Sequence, residues 1–265
     1  MTVTALILAA QRDGKVDPLA AEMGVSHKCI VPVAGRPMIV HVVETLAASP
    51  SVGEIRVSID NFNVIARLPE IARLIAAGRL TMMQARDNLV DSVVDAVAGA
   101  DFPLFITTAD NVLLTPEAVE SMQATASRGA DVAVAFTRRD SVLAAHPDGQ
   151  RRFYKFSDDA YSNCNSYWIG NARALSATEV FRGGGQFAKH PARIVKAFGL
   201  INLIRFRYGI GTLAAAFDRF SRRFGLVIRP VIFTDGAIAI DVDNSRTHAI
   251  AEGLLVARAP AIAAE

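Results

Sequence analysis

Up to about residue 140 the apolar positions switch regularly between two periods. Short β-branched and apolar runs at residues 3–10, 54–59, 80–84, 103–108 and 131–137 have the length and composition of strands. Between them lie longer stretches whose apolar residues recur three and four apart. Residues 37–48 carry Ile39, Val43 and Leu46 on one stripe, and 64–77 and 88–98 repeat the pattern. Thr115-Pro116-Glu117 reads as a helix start. It has a hydroxyl cap, then a proline whose missing N–H is harmless in the first turn, then an acid at the positive end of the helix dipole. Strands alternating with helices of this length predict crossover units and a largely parallel sheet covered on both faces. The expected fold class is therefore α/β: three layers, α/β/α, around a mostly parallel mixed sheet.

The rhythm changes after residue 140. Residues 152–157 and 165–169 read as strands around a turn-rich 158–164 loop. Gly183-Gly184-Gly185 marks a break, and helical patterns follow at 191–205 and 212–224. The second places Leu213, Phe217, Phe220 and Phe224 on one face, with Arg219, Arg222 and Arg223 off it. Two more strand-like runs, 226–233 and 237–242, lead through Ser245, read as a cap, into a closing helix that ends near Arg258. No repeat, low-complexity tract or linker divides the chain. Residues 1–265 are expected to form one domain, with a basic helical insert at about 182–224.

Composition narrows the class. Hydrophobic residues make up 51% and charged residues 20%, enough apolar material for a full core. No apolar run approaches the roughly 18–20 residues of a spanning helix. Cys29 and Cys164 are too far apart for a metal-type spacing, which disfavours a structural zinc site and a disulfide scaffold. The five histidines lack ligand spacing and read mainly as surface residues. The chain opens without a basic leader, so a cytoplasmic location is expected. The net charge of +2 conceals an asymmetry, because residues 182–223 hold nine lysines and arginines against the single acid Asp218. That segment suits peripheral contact with an anionic membrane at its inner face, a large phosphorylated acceptor, or a homodimer interface with solvated arginines. Nucleic acid is disfavoured, since no exposed aromatics interleave with the bases.

Candidate chemistry lies where strands end. In open α/β sheets ligands bind beyond the carboxyl ends of strands, and the first crossover loop is a favoured place. Here that loop begins Leu8-Ala9-Ala10-Gln11-Arg12-Asp13-Gly14 and continues to Lys28. Small residues allow close backbone approach to a base or phosphate, and Arg12 and Lys28 would offer fixed positive charge. A solvated surface loop is the plainer alternative. Asp110 follows the run 103–108 and could bind a hard cation that keeps most of its water, or simply close a turn. Asp241 and Asp243 sit two apart, on one face if extended, although Asp243 could instead cap the last helix. Gln84, Ser92, Ser162 and Asn165 are polar residues near strand ends that fit a binding role or a purely structural one. Gly-x-x-x-x-Gly-Lys-(Ser/Thr), Gly-x-Gly-x-x-Gly, His-Glu-x-x-His and Gly-x-Ser-x-Gly are all absent.

Taken together, Leu8-Ala9-Ala10, Lys28, Gly35-Arg36-Pro37-Met38, Asp110 and the Asp241-Val242-Asp243 segment resemble the nucleotidyltransferases with a MobA-like or sugar-phosphate pyrophosphorylase domain. Gln11 stands where that family usually has glycine, His27 where it has proline, and Asn244-Ser245 where it has Thr-Pro. The resemblance implies a GT-A type, nucleotide-diphospho-sugar transferase-like fold. It implies that an NMP passes from an NTP to a phosphorylated acceptor with release of pyrophosphate. Mg²⁺ is then expected on Asp110, Asp241 and Asp243, with Arg12 on the pyrophosphate side and Lys28 at the transition state. Leu8, Ala9, Ala10, Gln11, Gln84 and Ser92 would meet the nucleotide, and Asn165 and Ser162 the acceptor. The basic helices lean the expectation toward CTP and a small phosphorylated alcohol or head group. Two alternatives remain: a GT-A glycosyltransferase that consumes a nucleotide-sugar, and a non-catalytic nucleotide-binding protein.

Overall fold

The computed structural model describes residues 2–11, 15–181 and 199–258. In chain order its strands are β1 (Val3–Leu8), β2 (Pro32–Val33), β3 (Arg36–Pro37), β4 (Val52–Ile59), β5 (Leu80–Gln84), β6 (Leu104–Thr108), β7 (Val132–Arg138), β8 (Tyr154–Lys155), β9 (Ala160–Ile169) and β10 (Ile228–Phe233). The α-helices are α1 (Pro18–Glu22), α2 (Met38–Ala48), α3 (Pro69–Ala76), α4 (Leu89–Ala96), α5 (Pro116–Ala126), α6 (Arg139–Ala145), α7 (Leu200–Arg207), α8 (Leu213–Phe224) and α9 (Ser245–Arg258).

The main sheet runs β10-β7-β9-β6-β1-β4-β5, with β8 paired to β9. Its neighbouring strands are parallel except at β9, which is antiparallel to both β6 and β7. Strand periodicity divides the interior into two layers. Ala5 and Ile7 of β1 join one core with α2, α5 and α9, whereas Leu6 joins the other with α4 and α8. Leu6, Ile7 and Phe105 are among the largest fully buried side chains, and each contributes about 1.5–3 kcal/mol by leaving water. This is the three-layer α/β/α arrangement with a mixed, mostly parallel sheet that the hydrophobic pattern predicts.

Local chemistry sets the helix ends. Thr115 accepts from the Ala118 amide at 3.3 Å and caps α5, and Thr212 accepts from Ala215 at 3.1 Å and caps α8. Gly225 closes α8 in the left-handed conformation. The predicted apolar face of α8 is the packed one: Leu213 and Phe217 are buried, and Phe220 and Phe224 rest on the same core. The predicted 191–205 helix falls partly outside the described residues, and its described portion is α7. No helix among the described residues is long and apolar enough to cross a membrane.

Three expectations need correction. The 237–242 run is not a strand but a 3₁₀ turn, Gly236–Ala239, followed by extended chain. A side chain at Gly236 would collide with the Ser141 backbone of α6, and the turn packs on α6 rather than joining the sheet. The supposed 158–164 loop is largely the first half of β9, while the 152–157 strand shrinks to Tyr154–Lys155. The 64–77 helix starts only at Pro69, after a short 3₁₀ turn at Phe62–Val64.

Candidate active site

Parallel β1, β4, β5 and β6 bring their carboxyl ends to one edge of the sheet. Beyond that edge β1 continues as Ala9 and Ala10, with the Ala9 amide donating to the Ser58 carbonyl at 2.9 Å. Ala9 is buried and Ala10 half-buried. The Gln11 amide donates to Asp60 Oδ1 at 3.0 Å. Arg12 lies outside the described residues.

The chain returns through α1, which Asp17 caps by accepting from Leu19 N at 2.9 Å, and reaches a 3₁₀ turn at Lys28–Ile30. Ala34 and Gly35, both at positive φ (48° and 74°), make the two-residue turn between β2 and β3. Pro37 then precedes the first residue of α2, fully buried Met38, whose amide donates to the Val31 carbonyl at 3.0 Å. The Gly35-Arg36-Pro37-Met38 motif thus anchors the segment that carries Lys28. Arg36 is engaged elsewhere, with Glu44 at 2.8 Å and Glu70 at 3.5 Å.

Lys28 Nζ bridges two acids from distant parts of the chain, Asp110 Oδ2 at 2.6 Å and Asp243 Oδ1 at 2.7 Å. Thr108 donates to the other oxygen of Asp110 at 2.5 Å, fixing that carboxylate at the end of β6. Val242 N donates to the Asp110 carbonyl at 3.1 Å, which ties the segment carrying Asp241 and Asp243 to the same strand end. Thr247 of α9 accepts from Asp243 N at 2.9 Å, while Asn244 Oδ1 accepts from Thr247 N at 3.2 Å. The helix cap is therefore Asn244. Asp243 is left free to face Lys28, and Ser245, read from sequence as the cap, donates instead to Glu22 at 2.6 Å.

Asp241 occupies the dry side of the cluster, 7% exposed. Its Oδ2 accepts from Asn165 Nδ2 at 2.8 Å, and its Oδ1 is buried with no partner among the described residues. Burial, reinforced by the negative charges of Asp110 and Asp243, pushes its pKa well above the ordinary carboxylate value, against the pull of Asn165 and Lys28. For Lys28 the balance goes the other way. Burial opposes its charge, yet Asp110 and Asp243 raise its pKa, so the ammonium stays protonated.

The aim of Asn165 comes from a bulge. Between Val134 and Phe136 the β7–β9 register slips, so one intervening β7 residue opposes Cys164–Ser166, a range β9 must accommodate by bending. Asn165 takes up a left-handed φ of 44°, a conformation asparagine tolerates better than most residues. The Tyr167 hydroxyl donates toward Asn163 Oδ1 at 3.3 Å and Asn165 Oδ1 at 3.4 Å, which orients the amide so that its nitrogen meets Asp241.

The other sequence-derived positions lie apart from this cluster. Gln84 Nε2 donates to the Asp60 carbonyl at 3.1 Å, at the end of β5. Ser92 is buried, with its Oγ accepting from Arg86 N at 2.8 Å and donating to backbone carbonyls, so it shapes the 85–88 loop. Ser162 is buried in β9 opposite Thr137. Sequence reasoning missed Asp60, which receives Gln11 N on one oxygen and His27 Nε2, at 3.2 Å, on the other. Its place just after a predicted strand was the available signal. His27 and His248 are both buried rather than superficial, and His248 Nε2 meets the Pro32 carbonyl at 2.7 Å.

Among the described residues no three His, Cys, Asp or Glu groups form a ready-made metal cage. The donors present still fit a hard cation. Mg²⁺ takes only one or two carboxylates and completes its shell with water and substrate phosphates, and Asp241 Oδ1 is an orphaned carboxylate oxygen beside two further acids.

A profile described as the MobA-like NTP transferase domain matches residues 5–195. The chain belongs to that family. It is accordingly a nucleotidyltransferase. Solved structures share the fold. A hypothetical transferase from Thermus thermophilus has a TM-score of 0.77 at 21% identity, covering 94% of this chain and 100% of its own. CMP:2-keto-3-deoxy-manno-octonic acid synthetase complexed with CTP has 0.56 at 14% identity, covering 97% and 99%. The 4-diphosphocytidyl-2C-methyl-D-erythritol synthase from Anaerococcus prevotii DSM 20548 has 0.54 at 10% identity, covering 96% of each chain. No curated protein matches in sequence.

Proposed function

We propose that the chain transfers a nucleoside monophosphate from an NTP, with CTP preferred, to a small phosphorylated alcohol or head-group phosphate, releasing pyrophosphate. The observation that carries this reading is the partnerless, buried Asp241 oxygen beside Asp110, Asp243 and Lys28. Among the described residues the cluster has three acids for one base, which leaves room for added positive charge. One or two of the carboxylates Asp110, Asp241 and Asp243 would hold a divalent cation, Mg²⁺, which when bound neutralises triphosphate charge.

The chain's own residues supply the rest. An acceptor phosphate is already anionic near neutral pH and needs no general base, so catalysis rests on positioning and on charge at the α-phosphorus. Lys28 would place its ammonium on the phosphoryl oxygens that gain charge. Arg12 would hold the departing pyrophosphate. Leu8, Ala9, Ala10 and Gln11 would line the nucleotide, and Gln84 would meet the base at the neighbouring strand end. Ser92 would act indirectly by shaping the 85–88 loop. Asn165, and more remotely Ser162, would border the acceptor. The whole of 1–265 would act as one domain, its basic helical part serving as a platform at an anionic membrane or as a homodimer contact.

Support for CTP comes from the sugar synthetase of like fold, which was solved with that nucleotide. The test is a pyrophosphate-release screen of the four NTPs against pooled phosphorylated acceptors with Mg²⁺. Release with CTP and a phosphorylated alcohol, dependent on both, is the expected result. Absence of release with every NTP and acceptor would overturn the reading.

A further inference from the structure

The basic hairpin formed by α7 and α8 is not used by the proposed reaction, yet its surface is unusual in two ways. Ile201 and Ile204 of α7 and Tyr208 just after it, spaced three and four apart, form one stripe that is 71%, 47% and 73% exposed, and Ile210 beyond is 52% exposed. Around that stripe Arg205, Arg207 and Arg222 are exposed and, among the described residues, have no carboxylate partner. The single acid of the hairpin, Asp218, is held by Arg229 at 3.1 Å. Positive charge is crowded there as well: beyond its own burial, Arg205 and Arg222 lower the pKa of Arg219.

We propose that this face of the α7–α8 hairpin docks on an anionic lipid bilayer. Charge complementarity selects an anionic partner, and the interleaved isoleucines and tyrosine select one with an apolar interior just beneath its charged surface. A soluble polyanion would satisfy the arginines and leave the apolar stripe in water. The hairpin is also fixed to the enzyme body, so docking orients the whole chain. Ser157 N donates to the Gly211 carbonyl at 3.0 Å, and Asp158 accepts from Leu213 N at 3.1 Å. Gly209 packs against the Lys155 carbonyl, at the rim of a cavity lined by Arg139, Arg151 and Phe153. A docked hairpin would therefore set that cationic opening beside the membrane. The proposal stands independently of which reaction the acidic cluster performs.

The test is flotation of the full chain with vesicles of phosphatidylcholine alone or mixed with phosphatidylglycerol. Capture by the anionic vesicles should exceed capture by neutral ones by about a hundredfold or more and fall with added salt. Each base at an anionic surface adds about fivefold, so R205Q/R207Q/R222Q should lose about a hundredfold. I201S/I204S/Y208S should lose capture at raised salt, where insertion rather than charge retains the protein. Both triple variants change exposed side chains, and circular dichroism should match the parent. Equal capture by neutral vesicles, no capture at all, or triple variants that float like the parent would each overturn the proposal. A dimer that dissociates in the apolar variant without vesicle capture would place a second copy of the chain on this face instead.

Discussion

The acidic cluster and the α7–α8 hairpin are both electrically unbalanced, in opposite senses and in different surroundings. Asp110 and Asp243 share the single ammonium of Lys28, and Asp241 beside them is buried, with an oxygen that has no partner among the described residues. The hairpin presents Arg205, Arg207 and Arg222 to solvent, while Asp218 is already engaged by Arg229. Water screens the second imbalance cheaply and leaves it to select a broad anionic surface. At the acidic cluster it reaches the exposed Asp243 but not the buried Asp241 oxygen, which a compact cation in the right place would relieve. Unpaired charge therefore means different things at the two places: a defined site in the interior and a docking face outside.

The comparison breaks most visibly if the interior charges are removed. Lys28→Ala and Asp110→Ala should each lower pyrophosphate release on the order of 10²–10³ in steady-state assays, whereas the hairpin triple variants should leave release toward a water-soluble acceptor unchanged. Equal losses in both regions would mean that the hairpin belongs to the catalytic machinery. Next in size is Gly236→Ala. A methyl group there meets the Ser141 backbone, so α6 must move away from the turn that leads to Asp241. Overpacking of this kind costs about 1–3 kcal/mol, and denaturant melts should show it together with reduced cation binding.

A smaller effect sharpens the point about exposure. Asp131 ties β7 to the start of β10, accepting from Val227 N at 2.8 Å and from Asn171 Nδ2 at 2.7 Å, with Arg173 beside it. These bonds, the Val227 amide first, hold its pKa below the ordinary 3.8. The stabilisation is thus present above the unfolded value and lost as pH falls through the lower folded one. Asp131→Asn should reduce Tm by about 2–4 °C near neutral pH, with the difference closing as pH falls below the ordinary 3.8 and on through the lower folded value. A difference that persists in acid would assign the loss to packing. Smallest of all, burial first and then Asp60 push the Cys29 thiol up to about 12. Its reaction with a thiol reagent at neutral pH should be slow until the chain is unfolded.

Much of this was legible in the chain. The alternating periods marked β1, β4, β5, β6 and β7 nearly to the residue, and strand ends pointed to Asp110 and Lys28. The segments that misled share a physical cause, because burial there follows something other than sheet period. Residues 236–242 are buried throughout, and an unbroken apolar run looks like an inner strand even when a glycine contact folds it into a 3₁₀ turn. Conversely, Tyr161-Ser162-Asn163-Cys164 looks like a loop because it is polar, yet it is part of the strand that carries Asn165 to Asp241. The pairing of Asp60 with His27 went unnoticed because it joins residues 33 positions apart, a relation no local pattern carries.

The central claim is that the orphaned Asp241 oxygen and its neighbours create a cation site for a triphosphate. Its most direct test is the affinity of the reactive nucleotide with and without Mg²⁺, measured by calorimetry on the parent chain and on the near-isosteric Asp241→Asn variant. The parent should gain about tenfold or more in affinity when Mg²⁺ is added, and Asp241→Asn should lose that gain while keeping its melting temperature. An undiminished Mg²⁺ effect in the folded variant would contradict the account.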